Sequence, residues 1–273
     1  MKTTETIRIN NEDIILHHSC TENTDAKRFM PHYHEMCELV FLVSGDVSYV
    51  VEGKTYKLKK WDVVVSRPMQ IHTILPEDGT EYERFVAIFN PHSLPKEIWE
   101  KIKKGPDVYP SGADDRIIEL FTKLDYYRER FDDECFASIA KSVVTEIAFN
   151  LSLYDEEESV ALVNPIISKA LEFIKLNLLT VESVEEVCNS LYITKSHLHH
   201  LFTKHLQVTP AKYIMAKRLM LAQKKIKKGA KPTQVFSECG FTDYATFFRN
   251  YKEHFGYPPS LEGKIIRSHE ILT

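Results

Sequence analysis

Between residues 7 and 90 the apolar positions come in short bursts. The stretches "IRINNEDIILHH", "CELVFLVSG", "DVSYVVEG", "KTYKLKK", "WDVVVSRP" and "ERFVAIFNP" are rich in Val, Ile, Phe and Tyr, and Asn, Gly, Asp or Pro separate them. β-Branched and aromatic residues bracketed by turn formers mark strands. Many short strands at fairly even spacing predict a small all-β barrel or sandwich.

The pattern then turns helical. In "DDRIIELFTKLDYYRERF", Ile117, Phe121 and Leu124 share a face, with Asp114 as the cap. In "ASIAKSVVTEIAFNLSLY", Ile139, Val143, Ile147 and Leu151 form one stripe. These two helices are expected to cover the barrel or pair with another subunit. The acidic "DEEES", residues 155–159, reads as a linker. Beyond it every segment reads as helix. "NPIISKALEFIKLNL" has Asn164 as cap and Pro165 at the first helical position, and it buries Ile167, Ala170, Leu171 and Ile174. The expected domains are 1–156 (barrel about 7–92, helices about 114–154) and an all-α part, 157–273.

A short helix, a tight turn and a second helix occur twice in the all-α part, at about 183–206 and 233–256. In the first copy Ser183 and Glu186 form a capping box and Thr194 caps the second helix. Leu198, Leu201, Phe202 and His205 face the core. Ser196, His199, His200 and Thr203 share the opposite face, where small polar groups suit contact with base edges. In the second copy Gly240 permits the sharp turn and Asp243 caps the next helix. Phe247, Tyr251 and Phe255 face inward, leaving Tyr244, Phe248, Arg249 and Lys252 outward. The helix between the copies, "TPAKYIMAKRLMLAQKKIKKG", closes at Gly229. At about 30 Å it is close to one turn of B-DNA.

Charge sharpens this reading. The net charge of the 273 residues is −4, but residues 161–273 hold 16 Lys+Arg against 9 Asp+Glu, and residues 1–160 hold 19 against 30. Between Glu186 and Glu238 there is no acidic residue and there are ten basic ones. Such a half suits a polyanion, with Lys204, Lys212, Lys217, Arg218, Lys224, Lys225 and Lys252 available for phosphates. The five cysteines are scattered without a C-x-x-C pair, so buried thiols are expected rather than a disulfide framework. No uncharged apolar run approaches a membrane span and no signal peptide is visible, which predicts a cytoplasmic protein.

"RLMLAQKKI", followed by "GFTDYATFFRNYKEHFGYPP", resembles the AraC/XylS family of transcription regulators. The resemblance implies that Ser196, His199, His200, Tyr244, Phe248 and Arg249 face DNA bases. Three positions depart from it. His200 stands where arginine is common, Phe248 where a small polar residue is common, and "SLEG" follows Pro259 in place of a Tyr-Arg ending.

"PHYHEMCELVFLVSG" raises a different chemistry. His32, His34 and Glu38 crowd the start of an apolar run. With Gly45 they resemble the first cupin motif, and "WDVVVSRPMQIH", ending at His72, resembles the second. Trp61 and Met69 stand where glycines are common and are expected to narrow the barrel mouth. Three readings stay open for the histidines: a divalent metal site (Fe, Mn, Zn or Ni) on His32, His34, Glu38 and His72, direct binding of a small molecule, or a structural role. Phe41, Tyr49, Arg67 and Gln70 are further candidates to line an effector pocket. The resemblance implies a homodimeric, effector-controlled DNA-binding regulator. Its partners are double-stranded DNA, a small-molecule effector (a sugar by the family's habit) and RNA polymerase. The alternative is a cupin metalloenzyme, a dioxygenase or isomerase.

Overall fold

In the computed structural model, residues 1–11, 14–110, 115–154 and 161–262 are described. Asp114 and the linker 155–159 lie outside them. The chain falls into two compact units, one within Met1–Leu162 and one within Val163–Arg267.

The first unit is built on two facing sheets. Strands β1 (Lys2–Asn10), β2 (Ile14–Glu22), β3 (Cys37–Ser44), β6 (Val63–Ser66), β8 (Tyr82–Phe89) and β9 (Val108–Tyr109) pair in the order β1-β2-β8-β3-β6-β9. In the second sheet β4 (Val47–Val51) lies between β5 (Lys54–Lys57) and β7 (His72–Pro76). Strand β3 shows why the apolar run "CELVFLVS" is nearly continuous. Cys37, Leu39 and Phe41 point to one core, and Val40 and Leu42 point to another between the sheets. A strand buried on both faces does not alternate in polarity. The hairpin from β3 to β4 turns at Gly45, whose φ is +119° and whose Cβ, were one present, would sit 2.6 Å from the Glu81 carbonyl oxygen.

Helices α1 (Lys96–Lys104), α2 (Asp115–Arg128) and α3 (Asp133–Leu151) cover the outer face of the larger sheet. Phe41 stacks on Phe121 of α2, with ring centroids 4.2 Å apart, and on Trp61 at 5.3 Å. Trp61 and Met69 adopt the left-handed backbone that favours glycine, with φ of +73° and +67°. Trp61 is partly buried against the core that α2 also covers, stacked on Phe41. Helix α1 was not legible. It is mostly charged, lacks a side-chain cap and has one fully buried side chain, Ile102.

The second unit carries α4 (Pro165–Leu176), α5 (Val184–Leu191), α6 (Lys195–Leu206), α7 (Pro210–Lys227), α8 (Pro232–Glu238) and α9 (Tyr244–Phe255). The expected caps are in place. Asn164 accepts from Ile166 N and Ile167 N, Ser183 and Glu186 form the capping box, Thr194 accepts from His197 N and Asp243 from Thr246 N. Val235, Phe241, Phe247 and Tyr251 close the second helix-turn-helix against Leu219, Ala222 and Ile226 of α7. The "SLEG" ending finds a role in the fold: Glu262 accepts from the hydroxyls of Tyr251 and Tyr257 and lies 3.7 Å from Lys227 Nζ.

His18 on β2 sits between two carboxylates. Its Nδ1 is 2.8 Å from Asp125 on α2, its Nε2 is 3.0 Å from Glu83 on β8, and its ring stacks on Phe85. Burial alone would lower its pKa, but hydrogen bonds and charge from Asp125, then from Glu83, outweigh that and raise it. A raised folded-state pKa gives stability that is fully present below the unfolded value of about 6.5 and is lost as pH rises through the folded value. The urea midpoint of the wild type should therefore fall relative to His18→Gln as pH rises above about 6.5. Parallel pH profiles for the two proteins would refute this role of His18.

Candidate effector site and nucleic-acid interface

The segment before β3 supplies His32 and His34, β3 supplies Glu38 and β7 supplies His72. A two-residue bridge docks that segment on β7: His32 N donates to the His72 carbonyl and His72 N to the His32 carbonyl, both at 3.0 Å. Thr73 Oγ1 donates to the Phe29 carbonyl at 2.7 Å and Met69 N to the His34 carbonyl at 2.8 Å. The ring centroids of His32 and His34 lie 4.5 and 5.1 Å from that of His72.

Each ring is anchored by its Nδ1. His32 donates to the Met30 carbonyl at 3.1 Å, His34 to Met36 at 2.9 Å and His72 to Gln70 at 2.9 Å. An Nδ1–H held by a carbonyl leaves Nε2 for a ligand. His34 Nε2 is 3.0 Å from Glu38 Oε2, and one candidate ligand atom from each of the four residues lies within 4.8 Å of the others. His72 Nε2 is buried without a hydrogen-bond partner among the described residues. Burial tends to raise the Glu38 pKa, but His34 and His72 hold it well below the usual carboxylate range. His32 reaches solvent at one edge, yet burial of its ring, and then His72, lower its pKa. Three imidazoles and a carboxylate gathered at one point, one imidazole nitrogen among them buried without a hydrogen bond, fit a divalent ion.

The other expected pocket residues behave differently. Tyr49 is fully buried between the sheets, with its hydroxyl 2.9 Å from Ser66 Oγ. Phe41 is a correction: it lies on the face of β3 opposite Glu38, under α2. Arg67 is a second correction. Its Nε donates to the Ile102 carbonyl, Nη1 to Asp107 and Nη2 to the carbonyls of Gly105 and Pro106. It fastens the loop after α1, with four of its five N–H groups engaged there. The Gln70 side chain closes the turn by accepting from Arg67 N, and only its carbonyl serves the cluster.

In the second unit Ser196, His200 and Thr203 are exposed on α6 and His199 is half-buried. On α9 Arg249 and Lys252 are exposed, while Tyr244 and Phe248 are half-buried, their rings 6.2 Å apart. Lys204 and Lys212 are exposed, and Lys217 is half-buried with its ammonium over the Tyr213 ring. Lys224 is exposed, and Lys225 pairs with Glu238 at 2.5 Å. Arg218 is the third correction. Its Nε donates to the Leu178 carbonyl at 2.8 Å and its Nη2 to the Val181 carbonyl at 2.5 Å, and it lies directly beneath Gly240. It is a clamp within the unit, not a phosphate ligand.

Sequence reading missed Tyr192, which is 96% exposed in the turn before α6 with φ of +55°. Its counterpart in the second motif is Gly240, a comparison that could have marked it.

A sheet unit with a buried ligand cluster, followed by paired helix-turn-helix motifs, defines the class of two-domain sensor regulators. Residues 16–137 match the AraC-like ligand binding domain and residues 187–261 match a helix-turn-helix domain family. The chain belongs to the AraC family of transcriptional regulators.

The chain is 29% identical over 135 residues to the probable transcriptional regulator LumQ of Photobacterium leiognathi, covering 49% of this chain and 53% of that one. It is 34% identical over 97 residues to the lactose operon transcription activator of Staphylococcus xylosus, covering 35% of each. With the HTH-type transcriptional regulator YfiF of Bacillus subtilis the identity is 20% over 244 residues, covering 84% of this chain and 77% of that one. The chain thus spans about half the length of the first of these relatives and about a third of the second. A crystal structure of apo ToxT from Vibrio cholerae aligns with a TM-score of 0.41 at 14% identity, covering 93% of this chain and 97% of that one. These relatives are regulators, and none supports the metalloenzyme alternative. No helix among the described residues is long and apolar enough to cross a membrane.

Proposed function

We propose that the chain is a sequence-reading DNA-binding transcription regulator whose first unit responds to an effector at the histidine cluster. The observation that carries this is the repeated motif itself. Helices α6 and α9 each leave a polar face outward, on a unit rich in Lys and Arg. Base edges are read by such side chains while lysines hold phosphates. The protein acts in the cytoplasm as a homodimer, and RNA polymerase is a further partner. Tyr126 and Phe149, exposed on α2 and α3, support pairing of two copies through those helices.

Footprinting on the DNA upstream of its own gene tests the reading, with two protected patches expected. Arg249→Ala should cost about 1–3 kcal/mol at the preferred site and relax its sequence preference. Lys212→Ala should weaken binding to all sequences alike and flatten the salt dependence. Identical effects of both substitutions on specific and random DNA would overturn this division of roles.

A further inference from the structure

The space between the two sheets is occupied by the protein itself. Val40, Leu42, Tyr49, Val51, Tyr56, Val64 and Tyr82 are all buried there. Tyr49 lies against Ser66, which pairs across from Glu38, so the floor beneath the cluster is closed as well. Two open grooves run along the helices, one past Lys123 and Ile139 and the other past Lys101 and Tyr154, and neither touches the cluster. A sugar-sized molecule needs a cavity of about 300 Å³ or more. What the cluster offers instead is four ligand atoms within 4.8 Å of one another, and one of them, His72 Nε2, is buried without a hydrogen bond, 3.8 Å from Glu38 Oε1.

An ion with bonds of about 2.1 Å holds tetrahedral ligands about 3.4 Å apart. Contraction of at most about 1.4 Å brings the four atoms to that spacing, and the ion gives His72 Nε2 the partner it lacks. Three imidazoles and one carboxylate favour Zn²⁺, Ni²⁺, Co²⁺ or Fe²⁺ over Mg²⁺ or Ca²⁺.

We propose that the effector is a divalent first-row transition-metal ion itself, held by His32, His34, Glu38 and His72. The proposal deepens the reading above and rests on it. The ligands come from three places: the docked segment (His32, His34), β3 of one sheet (Glu38) and β7 of the other (His72). An ion therefore ties both sheets and the segment together at one point. It biases the unit toward the tied arrangement, and any difference in DNA affinity between the two arrangements becomes the signal.

The test uses the full chain, stripped with a chelator and titrated with Zn²⁺, Co²⁺ or Mg²⁺. Calorimetry should give one Zn²⁺ per chain, Co²⁺ should add visible absorption bands, and Mg²⁺ should give no binding. Affinity for the upstream fragment should change about tenfold or more when Zn²⁺ is added. His32 is exposed, so His32→Gln should keep the fold, checked by circular dichroism, while losing both the ion and the response. His72→Ala is the second variant. Absence of stoichiometric binding overturns the proposal. So does ion binding that leaves DNA affinity unchanged, or a His32→Gln protein that still responds; in these cases the regulator reading stands. Absence of any sequence-dependent DNA binding, with or without ion, overturns both.

Discussion

Arg67→Ala is expected to destabilise the first unit by about 3–5 kcal/mol, the cost of breaking a buried ion pair by removing one partner. The Arg67 side chain is nearly enclosed and meets four acceptors, three of them carbonyls of Ile102, Gly105 and Pro106. The fourth is Asp107, which also accepts from Lys54 and Tyr56. Truncation leaves the carbonyls of Ile102, Gly105 and Pro106 short of a donor and the buried Asp107 carboxylate short of its guanidinium partner. Lysine does not repair this, because a single ammonium cannot serve carbonyls on several sides. Urea denaturation should show the loss as a lower midpoint at unchanged slope. A variant that unfolds like the wild type but no longer responds to an effector would return Arg67 to the pocket.

Arg67 also shows where the sequence runs out. Its partners lie 35 to 40 positions away, on a loop with no local signature. An arginine beside a cupin-like motif offers donors to an effector as readily as to carbonyls, and only the chain's path decides between them. Phe41 is a different kind of miss. It stands three positions after Glu38 on one strand, so the period of two puts them on opposite faces. That exclusion was available from the sequence alone.

What was legible is what is local. Strand bursts, caps and the turn at Gly240 are written in neighbouring residues, and the structure places them as read. The histidine cluster was legible because His32, His34 and Glu38 lie within seven positions and a motif links them to His72. The short charged α1 was not, because it lacks a side-chain cap and its apolar stripe is only Ile98, Trp99 and Ile102, little more than one turn. The buried carboxylate of Glu262 was hidden for the same reason as Arg67, since its tyrosine partners become visible only after the chain has turned back on α9.

Arg218→Ala should cost the second unit about 3 kcal/mol, because two charge-assisted hydrogen bonds to backbone carbonyls are lost together. The arginine holds the loop between α4 and α5, through Leu178 and Val181, to α7, while its guanidinium lies under Gly240 of the second turn. It therefore fixes the chain leading into the first motif, and the turn of the second, to the helix that joins the two. DNA affinity should fall, but through loss of fold, with a lower melting temperature and an unchanged salt slope at temperatures where the variant stays folded. A phosphate contact predicts the reverse, with an intact melting temperature and a slope reduced by about one. Gly240→Ala provides the internal control. A Cβ at Gly240 would lie 2.7 Å from Arg218 Nε, on a backbone with φ of +81°. In the wild type the substitution meets both strain and collision; in the Arg218→Ala background the collision is gone and the strain remains. The two changes should therefore cost less together than the sum of their separate costs. Strict additivity would mean that Arg218 does not pack beneath the turn in solution, and the clamp would be lost with it.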